Sequence, residues 1–217
     1  MRRVLCAVMV AAAMLAAQAA SANTILVFGQ NGGGNIFFGD ETAGITHLQA
    51  TNIPLTITTL NETAVSLNAF LNLAANSTAA VNCIATLCTQ PYSGNFQITS
   101  AQNGGGTNYL SGVFSGTDLG ILGGTQYVLG ATQPPGSLSF TSSVPGLPTS
   151  IPTAMSLGLT NVSPGVGISN NSFADFNSNV AGTFSAFPAS TVPEPASLLL
   201  LGTGLAAAAR KLRKRRQ

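Results

Sequence analysis

Between Val4 and Ala209 few residues can do acid–base, nucleophilic or metal chemistry. They are His47, the carboxylates Asp40, Glu41, Glu62, Asp118, Asp175 and Glu194, and the thiols Cys6, Cys83 and Cys88. A glycosidase needs two carboxylates facing each other across the bond to be cut. Only Asp40 and Glu41 are adjacent, and neighbours on a strand point to opposite faces. A serine hydrolase needs a base beside its nucleophile, but Ile45-Thr46-His47-Leu48-Gln49 has no G-x-S-x-G near it. The loop Gln30-Asn31-Gly32-Gly33-Gly34-Asn35 lacks the Lys-Ser/Thr ending of a phosphate loop. It also lacks the G-G-x-G-x-D order of a calcium repeat. Asp40 and Glu41 offer hard oxygens suited to calcium, though a solvated turn accounts for them as well. No basic side chain stands ready to stabilise an anionic transition state. The expectation is a protein that is not an enzyme and takes no metal or cofactor.

Cys6 falls in the N-terminal apolar run, which leaves Cys83 and Cys88 in Cys83-Ile84-Ala85-Thr86-Leu87-Cys88. The spacing is not C-x-x-C, and one histidine is too few for a zinc site. A disulfide between them closes a small ring and clips one loop.

The remaining chemistry is charge, and its placement is lopsided. No Lys or Arg occurs from Val4 to Ala209. Met1-Arg2-Arg3, the apolar stretch Val4 to Ala17 and the small residues Ala19-Ala20-Ser21-Ala22 have the three parts of a secretory signal peptide, cut after Ala22. At the other end an uncharged run comprises Ala196, Ser197, Leu198, Leu199, Leu200, Leu201, Gly202, Thr203, Gly204, Leu205, Ala206, Ala207, Ala208 and Ala209. As a helix it spans about 21 Å, short of a ~30 Å hydrocarbon core. Arg210 and Lys211 can snorkel to lengthen it, and Arg213, Lys214, Arg215 and Arg216 complete a stop-transfer cluster. Such charges stay on the cytoplasmic side. Pro195 suits the first helical position, and Glu194 sits by the positive end of the helix dipole.

Val192-Pro193-Glu194-Pro195-Ala196-Ser197, followed by the leucine run and the basic end, closely resembles the PEP-CTERM sorting signal of bacterial exported proteins. The resemblance covers Val192 to Arg216. It implies processing near Pro193-Glu194-Pro195 by an exosortase, a membrane protease/transpeptidase-like enzyme. It also implies delivery of the body to the cell surface or into extracellular polysaccharide. The tail would be an address removed from the mature protein, as in other cleaved anchor signals. It does not fix what the cargo does.

The segments that must position anything in the body are strands. Ile53, Leu55 and Ile57 alternate with polar or turn-forming residues. Val65 to Leu73, Phe96 and Ile98, Leu138 and Phe140, and Met155 to Leu159 do the same. Phe176, Val180 and Phe184 share one parity, and Thr24 to Phe28 reads as a further strand. Period two means one buried and one wet face. Thr63 to Ala80 is rich in Ala and Leu, yet its alternation favours strand. Gly, Asn and Pro clusters at residues 31–34, 103–106, 123–124, 134–136 and 144–152 supply turns. The stretch from Gln133 to Thr153 reads as a long connection. Gln102-Asn103-Gly104-Gly105-Gly106 echoes Gln30 to Gly34, as similar turns do. Tyr92, Tyr109 and Tyr127 are expected to cap the core with their hydroxyls in water.

The expected fold is all-β, an antiparallel β-sandwich-like domain. A signal-peptide helix (1–22) and a short C-terminal transmembrane helix flank it. The domain runs over 23–184, a linker over 185–191 and the sorting tail over 192–217. Asp40, Glu41, Glu62, Asp118 and Asp175 give the body a charge of −5 once the basic ends are removed. With no Lys or Arg to hold phosphates, nucleic acid is not a partner. The expected partners are signal peptidase, an exosortase-type enzyme, the inner membrane before processing, and exopolysaccharide. The expected role is a non-catalytic structural protein of the surface or matrix. The alternative is a polysaccharide-binding module. An ice-binding module would want a regular threonine ladder, which the sequence lacks.

Overall fold

The computed structural model describes residues 22–32, 37–133, 136–149 and 153–186. The expected signal peptide up to Ser21, the sorting motif, the expected transmembrane run and the basic cluster lie outside the described residues.

Every element in the described part is a strand: β1 (Asn23–Gln30), β2 (Phe37–Thr42), β3 (Ile45–Leu60), β4 (Thr63–Ser77), β5 (Asn82–Ile84), β6 (Leu87–Thr99), β7 (Asn108–Ile121), β8 (Gln126–Gln133), β9 (Ser137–Thr141), β10 (Thr153–Ser163), β11 (Ile168–Ser169), β12 (Ser172–Phe173) and β13 (Phe176–Ala186). All pairings are antiparallel. The expected alternation is present. Ile53, Leu55, Ile57, Ala69, Leu71, Leu73, Phe96, Ile98, Met155, Leu157 and Leu159 all face inward and are buried.

The pairing does not divide into the two separate sheets of a sandwich. β1 joins β3, β3 joins β4, β4 joins β6 and β6 joins β7. β7 then joins β8, β8 joins β10, β10 joins β13, and β13 returns to β1. The sheet therefore closes on itself as a ring, the arrangement that removes sheet edges and fills its inside with side chains. Alternation cannot distinguish the two cases, because a sandwich and a closed ring both bury one face of every strand. Closure depends on long strands that bend. β3, β4 and β7 run for 16, 15 and 14 residues. Register shifts interrupt the pairing at Ala50/Ile53, Ile57/Thr59, Val27/Phe28 and Ile98/Thr99. Such bulges kink a strand and increase its twist. At the first, Asn52 takes φ 53°, its amide held by Asn72 Oδ1 at 2.9 Å.

Two further differences from the sequence reading concern boundaries. The stretch read as a long connection is interrupted by β9, the strand that the alternation of Leu138 and Phe140 marks, and both residues are buried against β7. β13 continues through Ser185 and Ala186, so the body extends past the expected boundary at residue 184. The two Gln-Asn-Gly stretches sit in unlike places. One follows β1, and the other forms the β6–β7 hairpin loop, whose Asn103 accepts from Asn52 at 2.8 Å.

Inside the ring, aromatics are paired with glycines on the neighbouring strand. Phe28 lies opposite Gly182, Phe96 opposite Gly112, Tyr127 opposite Gly120 and Phe176 opposite Gly39. The missing side chain is the space that the ring occupies. A Cβ on Gly182 would stand 2.5 Å from Phe28 and 2.6 Å from Leu157. Gly182→Ala is therefore expected to destabilise by about 1–3 kcal/mol, read as a lower denaturant midpoint. Around this centre Phe96 stacks on Phe184 at 4.9 Å, and Phe140 meets both rings edge-on at 5.7–6.0 Å.

Candidate functional site

β1 and β13 bring the two ends of the described body together. Asn23, the first residue after the expected signal-peptide cut, pairs with Ala186, the last residue of β13. The first and last strands of the described body thus end side by side at one end of the ring. The β5–β6 hairpin and the β7–β8 turn lie at the other end, because β13 and its neighbours run lengthwise between the two.

Cys83 and Cys88 are directly paired across the β5–β6 hairpin and are joined as a disulfide. The bond clips the hairpin tip, as its spacing implies. Cys83→Ser is expected to cost about 2 kcal/mol of stability or less and to leave the ring closed, since so short a loop restrains the unfolded chain only slightly. Urea denaturation of the variant, followed by circular dichroism, checks this.

Asp40 and Glu41 lie at the end of β2, on either side of the strand. Asp40 pairs with His47, whose Nδ1 lies 2.7 Å from Asn76 Oδ1. Glu41 caps the β2–β3 turn. Its carboxylate accepts the Gly44 N–H at 2.7 Å and the Asn170 amide at 3.1 Å, and its own N–H donates to Asp175 at 2.6 Å. The Gly44 N–H, helped by Ser169 and Asn170, holds its carboxyl below the usual range. Its lone pairs are spent on the turn.

The sequence reading missed a polar cluster sealed inside the end of the ring far from Asn23 and Ala186. Thr46, Gln90, Asp118 and Ser172 are all fully buried there, among Tyr92, Tyr127 and Phe173. Tyr92 and Tyr127 depart from expectation. Their hydroxyls are in the interior instead of in water, because both rings belong to the inward parity of β6 and β8. Gln90 is the hub. Its Oε1 accepts from the Tyr92 hydroxyl at 3.0 Å and the Phe173 N–H at 3.1 Å, and Thr46 Oγ1 lies 3.3 Å away. Its Nε2 donates to Ala79 O at 3.1 Å and to Ser172 Oγ at 2.9 Å. Asp118, opposite Gln90 in the β6–β7 pairing, has neither carboxylate oxygen in a hydrogen bond. The Leu119 N–H opposes the effect of burial only in part. Burial pushes the Asp118 carboxyl up to about 7. Burial, and then the nearby Asp118 charge, push both tyrosine hydroxyls well above their ordinary range. Parity was the available signal. Asp118 shares the inward parity of Leu110 and Phe114, and Gln90 that of Phe96 and Ile98.

The outer face is built differently. Asn72, Gln97, Ser111 and Thr141 form one cross-strand rung over β4, β6, β7 and β9, and Asn76, Ser93, Ser115 and Ser137 form another. These are uncharged amides and hydroxyls, while Val113, Leu119, Ile121 and Val128 are exposed apolar positions elsewhere on β7 and β8.

The family model of the PEP-CTERM protein-sorting motif matches residues 191–216. The match takes in Val192 to Pro195, the apolar run and the basic cluster, so the C-terminal region carries the signal of an exported protein sorted by an exosortase-type membrane enzyme. Before processing, such a protein is anchored in the membrane. No curated protein and no solved structure matches the chain.

Proposed function

We propose that this chain is a non-catalytic structural protein of the cell surface or extracellular matrix. Signal peptidase removes residues 1–22. The tail holds the body at the inner membrane with its basic end in the cytoplasm, and an exosortase-type enzyme then cuts near Pro193-Glu194-Pro195. The match at residues 191–216 carries this reading. Two further features support it. Positive charge is confined to the segments that a membrane must orient. Asn23 and Ala186 are paired, so a body tethered by either end hangs from the same pole. A reporter fused ahead of Val192 is expected to give its signal outside the cytoplasm. The mass of protein recovered from the envelope should lack both ends. A cytosolic reporter or a full-length mass overturns the reading.

The outer rungs favour a second reading, a polysaccharide-binding module. Rows of amides and hydroxyls supply donors and acceptors at strand spacing to a partner that is itself all hydroxyls. Saturable retention on the producer's own exopolysaccharide selects this reading, and no retention selects the passive structural role. Shortening of that polysaccharide by the pure protein would show catalysis and overturn both.

A further inference from the structure

The buried cluster at the far end of the ring holds a hydroxyl against a carboxamide in a setting closed to water. We propose that Thr46 and Gln90 become joined by an intramolecular ester. Thr46 Oγ1 attacks the side-chain carbonyl carbon of Gln90, the new C–O bond forms, the C–N bond breaks, and nitrogen leaves as ammonia carrying the hydroxyl proton. Nothing is oxidised or reduced, and no co-reactant is consumed.

Phe173 orients both partners. Its carbonyl accepts the Thr46 hydroxyl at 2.7 Å, which fixes the hydroxyl proton and leaves the Oγ1 lone pairs free, with Oγ1 3.3 Å from Gln90 Oε1 on the carboxamide it would attack. Its N–H donates to Gln90 Oε1, as does the Tyr92 hydroxyl. Two fixed donors on one carbonyl oxygen stabilise the negative charge that develops there when the carbon is attacked. Ser172 and Ala79 hold the nitrogen on the opposite side, so the carboxamide cannot rotate away. Ser172 itself is committed to Gly44 O at 2.6 Å.

Proton transfer is assigned to Asp118. It stands opposite Gln90 on the adjoining strand, is fully buried, and has no hydrogen-bond partner. The protonated form of this carboxyl, once turned into hydrogen-bond reach of Gln90, can hand its proton to the leaving nitrogen and recover one from Thr46. This gives an otherwise costly buried acid a use. Burial also protects the product, because hydrolysis needs water at the same carbon. The bond would tie β3 to β6 across the intervening β4. The Cys83–Cys88 disulfide spans only a hairpin, and a body without lysine has no lysine–carboxyl amide to use.

The test is the mass of the full chain recovered from expressing cells, denatured and reduced, with its ends assigned from terminal peptides. The expected mass is one ammonia short of the sequence. Chymotryptic digestion, chosen because the body has no tryptic site, should yield one branched peptide holding Thr46 and Gln90. Hydroxylamine should part it. Thr46→Val should restore the full mass. Asp118→Asn, checked for folding by circular dichroism, should slow bond formation by about 10²-fold or more. Wild-type folded protein with unmodified mass and both peptides free overturns the proposal, whatever becomes of the sorting signal. A branch through Ser172 overturns the choice of Thr46, and an unchanged rate in Asp118→Asn overturns the role of Asp118.

Discussion

Asp118→Asn is expected to remove most of the pH dependence of stability between about pH 4 and 7 and to make the protein more stable at neutral pH. The carboxyl titrates near 3.9 in an unfolded chain. In the folded ring, burial raises it to about 7, with only the Leu119 N–H to offset the loss of water. Between these values the native state binds more protons than the unfolded state, so stability falls as pH rises. The contribution is fully present below about pH 4, declines through the window, and is gone above about 7. A span of about three units amounts to roughly 4 kcal/mol at about 1.4 kcal/mol per unit. Asparagine keeps the shape and never ionises, so its curve over the same window should be nearly flat. Urea midpoints at pH 4.5, 6 and 8 check this. A wild-type midpoint that rises with pH, or a variant with the same slope, overturns the assignment. Glu41 has the opposite sign. Its lowered carboxyl favours the fold above its unfolded value, and that contribution is lost as pH falls. Its exposure to solvent keeps that contribution small.

The second large effect concerns the tail. Replacing Pro193, Glu194 and Pro195 together by alanine is expected to abolish processing and leave the body fixed in the membrane fraction with its tail attached. The substitution removes the motif and spares the apolar run and the basic cluster, so export and anchoring should persist. Replacing Arg210, Lys211, Arg213, Lys214, Arg215 and Arg216 by glutamine acts at another step. It removes the charges that hold the end in the cytoplasm, and the anchored form itself should be lost. Immunoblots of membrane and released fractions separate the two outcomes. Equal processing in the alanine variant and the wild type sinks the role assigned to the motif. The position of the exit is consistent with this handling. Residue 187 follows a strand end that is paired with Asn23, so cutting either terminus need not disturb the ring.

Where the sequence could be read, the signal was local and repeated. Period two placed β3, β4, β6, β9, β10 and β13, because a strand with one buried face writes its burial into every second residue. Two tight turns escaped, since their positive φ is carried by Asn61-Glu62 and Ala43-Gly44 instead of by a Gly or Pro cluster. The single glycines within strands were also unremarked. Gly39, Gly112, Gly120 and Gly182 look like weak points in a strand until the aromatic opposite each is known, and that partner is distant in sequence for Gly39 and Gly182. The Cys83–Cys88 bond was legible because the pair is close and isolated.

From its residues alone this protein is marked as a β-rich body between two membrane-directed ends, because charge blocks and alternation are properties of neighbouring residues. Only the tertiary structure decided that the sheet closes instead of forming two layers, that Asn23 meets Ala186, and that Thr46, Gln90 and Asp118 share one sealed space. Each of these joins segments far apart in the chain. Such contacts depend on where strands bend and which edges meet, and no local pattern encodes that.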